Sequence, residues 1–346
     1  MIRSVFKYAY PHARIRGMKG VLVSAEKFLV LLNAESYQDF LRLLSTTTYA
    51  EALKQQVGDI PIPGLTNILY RSLFRDYEKT IGLLAGEIQK FLILFYQKYE
   101  LMNLKTILRG ICSHVAPEQV ASLLLPTEQY PLFSKEQLLT LRKVQDVVAH
   151  LQNTFFEYPL NQALPRFEKE QEFFPLEMAL DLHYYHTLWD AMKKLPKAER
   201  EIVRKLLGMV IDVLNVSWII RFKEQYHFAP EEILNYTIQH GYVFRLRDRQ
   251  RLARAQGAAE ILAYLHNTPY GKVISGAEPL STLHVVLTRQ VVTQLRKYFA
   301  GYPFQIGVIL GYVFLKEFEI SDLVTIAEAK KYGFSLEQSQ GYVIHT

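Results

Sequence analysis

The chain carries two stretches three times over. The first runs YQDFLRLLSTTTYAEAL (37–53), VQDVVAHLQNTFFEYPL (144–160) and AAEILAYLHNTPYGKVI (258–274), aligned without a gap. Leu44, Leu151 and Leu265 share a column, as do Thr47, Thr154 and Thr268, and the ring position two further on holds Tyr49, Phe156 and Tyr270. Acidic Asp39, Asp146 and Glu260 fall together as well. The second stretch is ELMNLKTILR (100–109), DVLNVSWIIR (212–221) and EISDLVTIAE (319–328). It aligns Ile107, Ile219 and Ile326, then Glu100, Asp212 and Glu319, then Asn103, Asn215 and Asp322, whereas Arg109 and Arg221 are answered by Glu328. Amphipathic helices align with one another easily, which accounts for the leucines but not for the Thr-x-aromatic ends or the Asn-containing blocks. Two blocks in one order, at spacings of 107–114 residues, point to a triplicated unit of ordinary domain size. The units expected are 1–126, 127–242 and 243–346, with boundaries near PEQVASLLLPTEQYPLF and QHGYVFRLRDRQ.

Helical period dominates inside the units. Ile81, Leu84, Ile88, Phe91, Phe95 and Tyr99 make one i, i+3/4 stripe. Leu138, Leu141, Val144, Val148 and Leu151 make a second, and Ile202, Leu206, Met209 and Val213 a third. Ser134 with Gln137 three residues on has the form of a capping box. Pro196 fits the first turn of a helix starting near Lys194. Alternating apolar and polar runs are short, so an all-α class is expected. Only 17 of 346 residues are glycine, leaner than the usual ~7% and suited to long helices with short connections. The Thr-x-aromatic ending reads as a helix that stops at a polar turn and folds its ring back onto the core. The acid and Asn, at i and i+3, share one face of the second helix opposite its leucine and isoleucine. Both blocks are expected to serve as domain scaffold.

The longest uncharged apolar run, Gln305 to Leu315, is half the length a bilayer span requires. The N-terminus has basic residues without an apolar segment, so no secretory signal is expected. One cysteine, Cys112, suits a reducing compartment and allows no intrachain disulfide. The 40 basic against 34 acidic residues leave a mild +6, with the strongest local run RLRDRQRLAR: Arg245, Arg247, Arg249, Arg251 and Arg254 around Asp248. On a helix Arg247, Arg251 and Arg254 share a face. That face is a solvated surface, a site for an acidic protein partner or a phosphate stripe for nucleic acid; no nucleic-acid module accompanies it.

Catalytic signatures are missing. Gly271-Lys272 lacks the other residues of a P-loop, and no G-x-G-x-x-G, H-E-x-x-H or G-x-S-x-G occurs. His183 and His186 in DLHYYH could share a helix face as metal ligands beside Asp181, but no third ligand is defined. Cys112 with His114 lies in apolar surroundings that favour a half-buried helix over a dyad.

The N-terminal segment YAYPHARIRGMKGVLVSAEKFLVLLNAESYQDFLRLLSTTTYAEAL resembles the C subunit of the archaeal and bacterial V/A-type ATPases, a relative of the d subunit of the eukaryotic vacuolar enzyme. Tyr8, Tyr10, Ala13, Arg14, Arg16, Met18 and Lys19 carry the likeness, with the stretch from Leu31 to Ser36. NTPYGKVI, ELMNLKTILRG and KEFEISDLVTIAEAKKYGF extend it over the whole chain. The middle unit departs from it, with Phe-Phe-Glu-Tyr-Pro at the turn, and so does PIPGLTNILYRSLFRDY, with two prolines where a plain helix would have none. The resemblance implies an all-helical funnel of three similar domains about a pseudo-threefold axis. It implies a non-catalytic rotor subunit of the central stalk, peripheral on the cytoplasmic face of the membrane, with no catalytic residue, cofactor or metal of its own. Its partners would be the coiled-coil shaft subunit, that subunit's small companion and the membrane proteolipid ring. Candidate partner contacts are Arg14, Arg16 and Lys19, and Arg245, Arg247, Arg249 and Arg251.

Overall fold

The computed structural model describes residues 2–54, 60–274 and 279–345. Regular structure among them is helical throughout, and no strand occurs. The chain divides into two compact units, one of Met1–Ile62 with Leu195–Thr346, the other of Pro63–Lys194.

The first unit is built on two long helices, Lys197–Glu224 and Ile306–Tyr332. The second of these is apolar on all sides over its first turns, where Val308, Ile309, Leu310, Val313 and Phe314 are all buried, as expected of a helix in a domain interior. It ends at Gly333, whose φ of +73° closes a left-handed cap that a side chain would strain. Helices Ile2–Lys19, Tyr37–Leu44 and Leu283–Ala300 pack against it. Lys197–Glu224 is covered by Leu283–Ala300 and Leu246–Arg254. In the second unit Lys98–Cys112 takes the central place, flanked by Val144–His150, Lys135–Thr140 and Phe174–Lys193, with Glu157–Glu170 against the last.

The periodic stripes are buried, though not always on one helix. Ile81, Leu84, Ile88, Phe91, Phe95 and Tyr99 all lie in the core, yet they span three helices, because the chain breaks at Gly82 and again at Gln97. Gly86 adopts φ +65° at the first break. The second stripe is likewise split between Lys135–Thr140 and Val144–His150 by extended backbone at Leu141. Ser134 does cap its helix, accepting from the Gln137 N–H at 3.3 Å, but the Gln137 side chain turns to His150 rather than completing the box. Pro196 precedes its helix instead of lying in the first turn: its ψ of 151° is extended, and the helix begins at Lys197. The two prolines of PIPGL cause no break, since helix Ile62–Gly82 starts between them, with Pro63 in the first turn, where no intrahelical N–H is needed.

Candidate functional site

The three Thr-x-aromatic ends form the same turn. Thr47, Thr154 and Thr268 each donate a hydroxyl to the carbonyl three residues back, at 2.6 Å. Each threonine oxygen also accepts the N–H of the ring residue two positions on, at 3.2–3.3 Å. A hydroxyl that bonds nearby backbone in both directions stops a helix and fixes the exit direction. The ring is thereby driven inward, and Tyr49, Phe156 and Tyr270 are at most 1% exposed.

The second block forms a matching set of ties. Asn103 receives the Leu125 N–H at 2.8 Å and donates to the Leu125 carbonyl and the Thr127 hydroxyl. Asn215 does the same with Ile238, through its N–H and its carbonyl. Asp322, having no amide donor, accepts only: from the N–H groups of Ile344 and His345, and at 2.6 Å from His345 Nδ1. The backbone partner is 22 or 23 residues downstream every time. The acid one turn earlier ties the segment leading into the next short helix. Glu100 accepts from the Leu132 N–H, and Asp212 from those of Val243 and Phe244. Gly241 lets this loop close on Asp212, since a Cβ there would collide with the carboxylate. Glu319 accepts from Val23, at the other end of the chain, at 2.7 Å. Acid and Asn are therefore as buried as the leucines opposite them, so these helices have no polar outer face here. The segments around 124–132 and 236–245, connectors in the sequence, are the ones tied down.

The ring of one block meets the acid of the other. Tyr270 donates to Asp212 Oδ2 at 2.9 Å, and Tyr49 to Glu319 Oε1 at 2.6 Å. Lys316 adds a buried ammonium 2.8 Å from Glu319 Oε1 and 2.6 Å from the Tyr49 hydroxyl. In the second unit the ring position is Phe156, which has no hydroxyl, and Glu100 Oε1 is buried without a hydrogen-bond partner among the described residues. Burial pushes the Asp212 carboxyl up to about 6 and also raises that of Glu100. Burial, then the Asp212 charge, holds the Tyr270 phenol well above its usual range.

The basic residues singled out in the sequence lie in two groups, both in the first unit. At the end of helix Ile2–Lys19, Arg14 and Arg16 are exposed and Lys19 is half-buried. Arg16 donates to His12 Nε2 at 3.0 Å and to the Phe299 carbonyl at 2.9 Å, while the Lys19 ammonium sits 5.0 Å from the Phe299 ring centre. Arg296, which no sequence pattern links to them, lines the same recess, brought there by helix Leu283–Ala300. The other cluster is helix Leu246–Arg254, whose Arg247, Arg251 and Arg254 are exposed, as is Arg245 just before it. Arg254 pairs with Glu231 at 3.3 Å, and Arg251 stacks over Tyr264. Arg249 leaves this group. It is 4% exposed and donates to the Thr237 hydroxyl and to the carbonyls of Ile238 and Gln239. Its charge braces the loop that Asn215 and Asp212 also hold and cannot meet a partner at the surface. The bracing needs those acceptors close by, and nothing in the local sequence distinguishes this arginine from its neighbours.

His183 is half-buried against Phe155 and Tyr158, where burial lowers its pKa. Among the described residues no group of three or more His, Cys, Asp or Glu is placed to hold a metal ion. Cys112 is half-buried, and burial raises its pKa, which holds it as the thiol rather than the nucleophilic thiolate. No helix among the described residues is long and apolar enough to cross a membrane.

The arrangement is thus a set of buried polar ties carrying two exposed basic clusters. Residues 11–342 match the family model of the ATP synthase (C/AC39) subunit. The C subunit of the A-type ATP synthase of Archaeoglobus fulgidus is 27% identical over 354 residues, covering 99% of each chain. That of Methanocaldococcus jannaschii is 25% identical over 352 residues, 99% of this chain and 88% of the relative. That of Methanosarcina mazei is 27% identical over 340 residues, 95% of this chain and 91% of the relative. With nearly the whole of its own length matched by the family model, the chain belongs to the ATP synthase (C/AC39) subunit family.

Proposed function

We propose that this chain is a non-catalytic coupling subunit in the central stalk of a V/A-type rotary ATPase. It links the coiled-coil shaft subunit, with its small companion, to the proteolipid ring of the membrane sector, and so passes torque between ATP turnover and ion movement. The observation that carries the reading is the full-length match to proteins named as the C subunit of A-type ATP synthases. On this reading the chain is peripheral on the cytoplasmic face. Three covalent repeats, 1–126, 127–242 and 243–346, make a funnel about a pseudo-threefold axis.

The ring-to-acid ties support such a role. Tyr270 with Asp212 and Tyr49 with Glu319 join the first block of one repeat to the second block of another. A part that transmits torque must not shear between its modules, and ties that cross repeats oppose shear. Arg14, Arg16 and Lys19 on one helix, and Arg247 and Arg251 on another with Arg245 just before it, are the candidate contacts, because clustered like charge orients an encounter more than it tightens it. Crosslinking the assembled membrane complex tests the reading. Links from this chain to a coiled coil and to proteolipid loops are expected. A motor assembly without this chain that still couples hydrolysis to ion transport would overturn it.

A further inference from the structure

Helices Ile2–Lys19 and Leu283–Ala300 both end at one recess of about 360 Å³, lined by Arg16, Lys19 and Arg296 with Phe299 between them. Among the described residues no carboxylate lines it. A second recess of about 270 Å³ shares Lys19 and Arg296 and contains one acid, Glu319. That acid is fully engaged by Tyr49, Lys316 and Val23, and Lys316 balances its charge. Basic residues at helix C-termini ordinarily do no more than offset the helix dipole. Here two termini contribute about −0.5 charge each, against three cations, which leaves an excess of roughly two positive charges. One neighbouring group feels part of that charge: after burial, the Arg16 guanidinium lowers the pKa of His12.

The recess is also partly preorganised. Arg16 is held by His12 and the Phe299 carbonyl, and Lys19 by the Phe299 ring, so less freedom is lost when a ligand arrives. Its volume lies at the small end of the ~300–1,000 Å³ range of ligand sites. Clustered charge with forked donors matches the oxygens of linked phosphates.

We propose that this recess binds a free oligophosphate, inorganic triphosphate or the phosphate arm of a nucleotide, through Arg16, Lys19 and Arg296. The site goes beyond the coupling role; it shares Arg16 and Lys19 with the candidate partner contacts and adds Arg296.

Titration of the full chain with inorganic triphosphate, followed by calorimetry at low salt, tests the proposal. One site is expected, weakening as salt screens it, with ATP binding through the same residues. R16Q/R296Q should weaken binding by about tenfold to a hundredfold, the loss of one or two charge-assisted bonds. R247Q/R251Q, in the other basic cluster, should leave it unchanged. Should the loss of the Arg16 bonds unfold the chain, R296Q alone serves, since Arg296 is exposed. Absence of binding at millimolar triphosphate would overturn the site. So would equal losses in the two double variants, or binding to anionic vesicles but not to triphosphate. Crosslinking to the shaft or ring reads the coupling role separately, so failure of one leaves the other standing.

Discussion

Tyr270 donates its hydroxyl to Asp212 at 2.9 Å across 58 residues of sequence, and both side chains are buried. Removing that donor leaves Asp212 with backbone donors alone in a site shut off from water. Tyr270→Phe should therefore cost about 1–3 kcal/mol, the range for stripping a partner from a buried polar group. The converse substitution sits in the other unit. Phe156 holds the ring position of the pattern, its ring packs edge-on to Phe133, and Glu100 Oε1 lacks a partner among the described residues. Phe156→Tyr supplies the missing hydroxyl and should raise stability by about 1 kcal/mol. Urea unfolding of both variants checks the pair; a destabilised Phe156→Tyr would show that the ring and acid of this unit are not equivalent to the other two.

Asp212 also makes stability depend on pH, in a direction opposite to that of carboxylates held charged by ion pairs. Its carboxyl is pushed up to about 6 in the fold from an ordinary 3.8, so between these values the folded chain holds more protons than the unfolded one. Stability from this group is then full below about pH 4, falls as pH rises towards 6, and levels off above. Glu100, raised by the same cause, adds to the slope. Asp212→Asn should flatten the decline between pH 4 and 6. Melting temperatures across that window measure it, and an undiminished slope would mean that Asp212 is not its source.

The arginine run should split by function. Arg249→Leu removes the donor to the Thr237 hydroxyl and the Gln239 carbonyl and one of the two donors to the Ile238 carbonyl, which keeps Asn215, at about 2–4 kcal/mol for the lost bonds. Arg247 and Arg251 are exposed, and their replacement by Glu should change stability by no more than about 0.5 kcal/mol. It should, however, weaken association with the rest of the motor at low salt. Paired unfolding and reconstitution experiments separate these effects. Equal destabilisation by all three would contradict the placement of Arg249.

What the sequence made legible was local in origin. The Thr-x-aromatic turn uses hydrogen bonds spanning two and three residues, so it leaves a mark wherever it occurs, and the Asn column reflects a tie that returns 22 or 23 residues later. The pairing of blocks was not legible, because nothing in Tyr49 names Glu319 as its acceptor 270 residues away. Helix breaks at Gly82 and Gln97 were hidden because the apolar period runs straight through them. Arg249 was expected at the surface and is buried, while Arg296, of which nothing was expected, lines the recess with Arg16 and Lys19: burial and proximity are properties of the packed chain, and an arginine reads alike in either place.

Lys316 offers the sharpest test of the ties. Its side chain is 5% exposed and its ammonium bonds both Glu319 and the Tyr49 hydroxyl, with the Glu319 side chain 1% exposed. A buried ion pair is weak evidence of net stabilisation, since taking both charges from water offsets most of their attraction, but losing one partner strands the other. Lys316→Met should thus cost about 3–5 kcal/mol by leaving the Glu319 charge unopposed. Glu319→Gln in the same chain removes that charge, keeps one acceptor oxygen for the Val23 N–H, and turns its amide NH2 to the Tyr49 hydroxyl, which can accept. The double variant should recover most of the loss, so the two substitutions should be strongly non-additive. Urea midpoints of both single variants and the double variant give the coupling directly. Additive losses would mean that Lys316 and Glu319 are stabilised separately and that the tie between the N-terminal turn and helix Ile306–Tyr332 rests on Tyr49 alone.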